Sequence, residues 1–224
     1  MTRTLLFSAA LATLCVGVAE AQTATADSGR FIIRHGADTV AVETFGRHDV
    51  TLAGTLEIPK TSTSETFTAT IAPDQTIPLV EVIIREPPKV LSPEGLDVAR
   101  MPHREPHVVE RARAIFRGDS VAVDAMRSSG IATRVFGTQV GALPYVNLSF
   151  ALLEQALRRA ATTGGQVPFF NLAGTQTLVA TVTRAGVDSA QMKFGDVQID
   201  FRLDPQSRIL GARIASQNVI VERQ

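Results

Sequence analysis

The sequence of 224 residues predicts a mainly β protein. Its expected architecture is a curved antiparallel meander sheet, half-barrel or barrel-like, with one amphipathic helix packed on its apolar face. Three observations predict this. Apolar and polar residues alternate with period two through much of the chain, as in strands with one dry and one wet face. Gly, Asp and Ser punctuate these runs at hairpin spacing. One stretch, at about 148–162, follows a helical period instead.

The clearest strand lies between Asp196 and Asp204, where Val197, Ile199, Phe201 and Leu203 oppose Asp196, Gln198, Asp200 and Arg202. Before it, Ala190, Met192 and Phe194 alternate with Ser189, Gln191 and Lys193, and Gly195-Asp196 fits a tight turn between the two. Leu52, Leu56 and Ile58 alternate with Thr51, Thr55 and Glu57, and Phe67, Ala69 and Ile71 with Thr66, Thr68 and Thr70. A weak repeat of Gly, Asp and Ser or Thr recurs at Gly36, Gly118 and Gly186, and reads as a recurrent hairpin turn. In the helical stretch Phe150, Leu153, Leu157 and Ala160 form an apolar stripe, while Glu154, Gln155, Arg158 and Arg159 form the expected wet face. Asn147 is the expected cap, Glu154 and Arg158 are spaced as an i,i+4 pair, and Gly164-Gly165 stops the helix.

Three segments stand apart. Residues 1–21 read as a signal peptide. Arg3 precedes an uncharged apolar run from Leu5 to Val18, too short to span a bilayer, and Ala19-Glu20-Ala21 suits cleavage before Gln22. Leu14 precedes Cys15 where a lipidation signal places a small residue, so ordinary cleavage is expected over lipid attachment. Cys15 is the only cysteine, and its removal leaves no disulfide to hold an exported fold. Residues 22–29 are expected as a flexible mature N-terminus and 30–224 as a single β-rich domain. Within it, 86–107 carries five of the eleven prolines and reads as a long extended connection. These features predict a periplasmic or secreted protein.

Composition narrows the function. Apolar residues are 45% and charged residues 20%, which excludes a disordered chain. Equal numbers of acidic and basic residues, 22 each, argue against a sequence-blind nucleic-acid binder. The chain contains no nucleophile elbow, zinc-protease helix, P-loop or dinucleotide fingerprint. His103 and His107 have the spacing of a helical metal pair, but Pro102 and Pro106 oppose a helix there. Asp196 and Asp200 share a strand face at ~13 Å, too far apart for paired-carboxylate chemistry. No catalytic residue, metal ligand or cofactor is therefore assigned.

A sheet with one apolar face must cover it. A helix, a long loop and a hydrophobic guest such as an acyl chain would do so. The residues expected to line that guest's site are Phe150, Leu153 and Leu157 on the helix, Phe169 and Phe170 after Pro168, and Met192, Phe194, Ile199 and Phe201 on the sheet. Peripheral contact with a bacterial envelope suits the same reading. The alternatives are an envelope interaction protein with a filled core, or a hydrolase lacking a familiar motif, for which His35 and His48 are the pair to inspect.

Asp204-Pro205-Gln206-Ser207-Arg208-Ile209-Leu210 is similar to an Asp-x-x-Gly-Arg-Ile-Leu hairpin. With the order strands, lid and helix, it resembles periplasmic lipoprotein carriers, outer-membrane lipoprotein receptors and related uncharacterised bacterial secreted β-proteins. The local match covers the C-terminal third, with Ser207 in place of the glycine. The resemblance implies acyl-chain binding on the concave face of the sheet and carries over no functional residue.

Overall fold

The computed structural model describes residues 27–87 and 106–224. The signal peptide, the first part of the expected flexible N-terminus, His103 and most of the proline-rich connection lie outside the described residues.

The fold is mainly β. Its first eight strands are β1 (Asp27–His35), β2 (Asp38–His48), β3 (Thr51–Ile58), β4 (Thr63–Thr70), β5 (Leu79–Glu86), β6 (His107–Arg117), β7 (Ser120–Arg127) and β8 (Gly130–Gly137). After β9 (Leu143–Tyr145) and the helix α1 (Phe150–Ala160) come β10 (Gln166–Asn171), β11 (Gln176–Arg184), β12 (Ser189–Phe194), β13 (Val197–Leu203), β14 (Ile209–Ile214) and β15 (Val219–Arg223). Residues 27–29, expected in the flexible N-terminus, are already strand, paired with β2.

All fifteen strands form one sheet in the order β8-β7-β6-β5-β4-β3-β2-β1-β15-β14-β13-β12-β11-β10-β9. The two ends of the described chain meet at its centre, where Phe31 of β1 lies opposite Arg223 of β15. From there each half runs outward as an antiparallel meander. The exception is β9, which pairs parallel to β10, with Leu143 opposite Phe169. Parallel neighbours need a crossover rather than a hairpin, and α1 is that crossover. The sheet does not close by hydrogen bonds, and β8 and β9 are its edges. Side chains link the two arms instead. Phe170 of β10 packs against Phe116 and Phe136, at centroid distances of 6.3 and 5.6 Å, and Thr177 Oγ1 donates to Thr138 Oγ1 at 3.0 Å.

Local chemistry explains the turns. Gly36, Gly118 and Gly195 close hairpins at φ +61°, +59° and +54°, a region that costs residues with a Cβ ~1–2 kcal/mol. Gly54 has a different role. A Cβ there would lie 2.6 Å from the ring of Phe67 on the neighbouring strand, so the missing side chain lets the ring lie on the backbone. The core is continuous. Phe31, Ile33, Leu52, Leu56, Val80, Val121, Phe169, Phe170, Met192 and Ile209 are buried in one cluster together with the apolar side chains of α1. Among the described residues, no helix is long and apolar enough to cross a membrane.

Candidate functional site

The helix is seated by a carboxylate from the sheet. Ala41, Glu43 and Phe45 of β2 are all buried, so the period-two inner face of this strand carries a charge in its middle. Glu43 Oε1 accepts from Ser149 Oγ at 2.6 Å, and Oε2 accepts from the backbone N–H groups of Phe150 and Ala151 at 2.7 and 3.1 Å. These donors belong to the first turn of α1, which has no intrahelical acceptors for them. Ser149, not Asn147, is the N-cap, with its hydroxyl accepting from Leu152 N. Burial pushes the Glu43 carboxyl up to about 7, although all three hydrogen bonds favour the ionised form.

The expected wet face of α1 is not wet. Glu154 and Gln155 are fully buried. The helix runs inside the curl of the sheet, so its polar side also meets protein, and that part of the sheet supplies matching charge. Glu154 Oε2 accepts from Ile209 N at 2.8 Å and from Arg223 NH1 at 3.0 Å. Its other oxygen takes the expected i,i+4 bond from Arg158 at 3.0 Å. Asp27 accepts from Arg223 at 2.7 Å and lies 3.5 Å from Arg158 and 3.7 Å from Arg208. The Arg223 guanidinium sits over the rings of Phe45 and Phe31, at 5.0 and 5.8 Å. Gln155 takes a bond from Arg47 at 2.6 Å and donates to Gln75 O at 2.9 Å. Burial, then the neighbouring Arg158, lowers Arg47 to about 10. The helix stops as expected, with Gly165 N donating to Ala160 O at 3.1 Å.

Phe150 and Leu153, from the first half of the apolar stripe of α1, border a partly open cavity of about 630 Å³. Leu148, Phe150 and Leu153 form one wall, and Leu178, Phe194, Val197, Ile199 and Ile214 form the other. The cavity lies at the end of the sheet where β9 and β10 finish and β13 begins. Tyr145, Asn147, Asn171 and Gln217 add polar atoms to the lining. Tyr145 and Asn171 are register partners in the β9–β10 pair, and Tyr145 OH reaches Asn147 Oδ1 at 3.5 Å. Desolvation raises the phenol above its ordinary range.

Of the nine residues expected to line a site, the structure brings Phe150, Leu153, Phe194 and Ile199 to this cavity. Leu157, Phe169, Phe170, Met192 and Phe201 are buried core residues outside its lining. Phe169 and Phe170 belong to β10 rather than to an irregular stretch. Tyr145, Asn147, Leu178 and Gln217 were not expected there. Leu178 lies within β11, and the other three come from a strand end and the segments between strands, which carry no strand alternation.

Glu43, Asp27 and Arg223 are likewise unanticipated, yet two had a signal. Glu43 is in phase with Ala41 and Phe45, and Arg223 with Val219 and Val221. His35 and His48 sit at opposite ends of the β1–β2 hairpin, ~25 Å or more apart by strand rise, and His48 bonds Asp49 at 2.9 Å. They do not form a pair. Glu110 and Arg113 lie on the interior strand β6 and pair with Arg127 and Glu81 at 2.8 and 3.6 Å.

No family model matches the chain, and no curated protein matches it. Among solved structures it is similar to the crystal structure of a DUF1089 family protein from Pseudomonas aeruginosa. The TM-score is 0.52 at 9% sequence identity, covering 81% of this chain and 92% of that one. At that identity the likeness concerns the fold. In this chain Asp204–Leu210 differs from an Asp-x-x-Gly-Arg-Ile-Leu hairpin at Ser207, which adopts φ +62°, the left-handed conformation that glycine takes without strain.

Proposed function

We propose that this protein is an exported, non-enzymatic carrier that holds a hydrophobic molecule between α1 and the arm of the sheet formed by β11 to β14. The observation that supports it most is the cavity. Its volume of about 630 Å³ falls within the range of small-molecule sites, and its two walls are aliphatic and aromatic. The helix is held by Glu43 at its first turn and by Glu154 and Arg158 along its polar side, so its position does not depend on the contacts that Phe150 and Leu153 make at the cavity. The export step rests on residues 1–21, which read as a cleavable signal peptide.

The test is direct. Protein purified under native conditions and extracted with organic solvent should yield lipid by mass spectrometry. The emptied protein should bind a neutral apolar dye such as Nile red. Leu178→Trp, which puts an indole into the space, should abolish dye uptake while leaving a cooperative unfolding transition. Repeated lipid-free preparations with no dye uptake would overturn the carrier reading and favour an envelope interaction protein.

A further inference from the structure

The cavity's polar atoms restrict what its guest can carry at its head. Tyr145, Asn147, Asn171 and Gln217 are all neutral, and among the described residues no charged side chain lines the cavity. Three of the four form one group. Tyr145 and Asn171 are paired across β9 and β10, Asn147 follows two residues on, and its exposed side chain stands at the rim. Asn171 Oδ1 already accepts from Ala173 N and Gly174 N, which leaves its amide N–H₂ group as a donor. The phenol and the Asn147 amide add donors and acceptors of their own.

The nearest array of anion-binding donors is the first turn of α1, beside Phe150. Glu43 occupies it with three hydrogen bonds. A carboxylate or phosphate would therefore meet no cation among the lining residues and would lie near a buried acid that bonds the backbone N–H of Phe150 in the cavity wall.

We infer that the cavity selects an amphiphile with an uncharged, hydrogen-bonding head, such as a hydroxyl, ester or amide, which Tyr145, Asn147 and Asn171 contact while the chain lies between Leu153 and Ile199. This rests on the carrier reading and names the ligand class for it. Three ligands with the same twelve-carbon chain separate the cases: monolaurin, laurate and dodecyl phosphate, each titrated at pH 8 as a displacer of Nile red from the full-length protein. Tyr145 is the only tyrosine and the chain has no tryptophan, so tyrosine emission reports on the cavity in the same titration.

Monolaurin should bind at least about tenfold more tightly than either anion, and change Tyr145 emission. Asn147→Leu, at an exposed position, should shrink that preference to about threefold or less while dye binding persists. Equal or tighter binding of laurate or dodecyl phosphate would overturn the head-group inference and leave the carrier reading intact. So would an unchanged preference in Asn147→Leu. Failure of all three ligands and of the dye would overturn the carrier reading itself.

Discussion

Replacing Glu43 by glutamine and by alanine separates its charge from its hydrogen bonds. The carboxyl has a folded-state pKa of about 7, against 4.5 for an unperturbed group. The folded state thus holds its proton more tightly than the unfolded state does. The stabilisation from that proton is complete below pH 4.5 and is lost as the pH rises towards and through 7. At 1.36 kcal/mol per unit, the loss is about 3 kcal/mol. A proton on Oε1 lies on the short bond to Ser149 Oγ, and Oε2 still accepts from Phe150 and Ala151. Glutamine can reproduce that arrangement, with its amide N–H towards Ser149 and its carbonyl towards the helix. Glu43→Gln should therefore match the wild type within about 1 kcal/mol at pH 4.5, and gain about 3 kcal/mol relative to it by pH 8.

Glu43→Ala strands three buried donors and opens a void, so it should cost about 3–5 kcal/mol at pH 4.5, and that cost should shrink by about 3 kcal/mol towards pH 8, where the wild type has itself lost the proton. Urea unfolding followed by far-ultraviolet circular dichroism measures both. For an m-value of about 2 kcal/mol/M, the glutamine effect is a midpoint difference of roughly 1.5 M between the two pH values. Burial also raises Glu65, which titrates with the same sign, but it is present in both proteins and cancels in the difference. A wild-type-minus-Gln difference that stays flat between pH 4.5 and 8 would refute the burial argument. An alanine variant within 1 kcal/mol of wild type at pH 4.5 would refute the role of Glu43 as the seat of the helix.

Three further substitutions probe the remaining contacts. Glu154→Ala removes the partner of Arg223 and Arg158 and the acceptor for Ile209 N, and should lower stability by about 3–5 kcal/mol in the same urea assay. Leu153→Asp puts a carboxylate on the cavity wall without a partner. It should cost at least about 3 kcal/mol or prevent folding, and an unchanged melting temperature would show that this side of α1 does not face the sheet. Gly54→Ala drives a methyl group into the Phe67 ring and should destabilise by about 1–3 kcal/mol, with a calorimetric melting temperature that falls accordingly.

Much of the fold was legible because strands write their exposure into alternate residues. Met192, Ile199, Phe201 and Leu203 are buried as their period predicts, and Gly36, Gly118 and Gly195 close the expected hairpins. The helix was legible in position, in its Glu154–Arg158 pair and in its glycine stop. Its surroundings were not. An amphipathic helix is ordinarily read as half in water, and that reading failed for Glu154 and Gln155. Amphipathicity records only that two sides differ in polarity. It does not record whether the polar side meets solvent or a second set of charges.

The candidate site shows the same division. Alternation along β12 and β13 and the stripe on α1 pointed to Phe150, Leu153, Phe194 and Ile199. It also pointed to Leu157, Met192 and Phe201, and the apolar stretch after Pro168 pointed to Phe169 and Phe170; the structure uses all five as core. Apolarity marks a residue as buried but does not distinguish a packed neighbour from an empty one.

From the amino-acid order alone came the mainly β class, the hairpin turns, the position of the helix and the polarity of each of its sides. All of these are properties of short stretches, set by side-chain direction along a strand or helix. The tertiary structure decided that β1 and β15 meet at the centre of the sheet, and that Glu43 on β2 caps a helix more than a hundred residues away. It also decided that a cavity remains between α1 and β13. Such pairings depend on how the sheet curls, and the free energy that selects them comes from charges and surfaces far apart in the chain, which leave no local pattern.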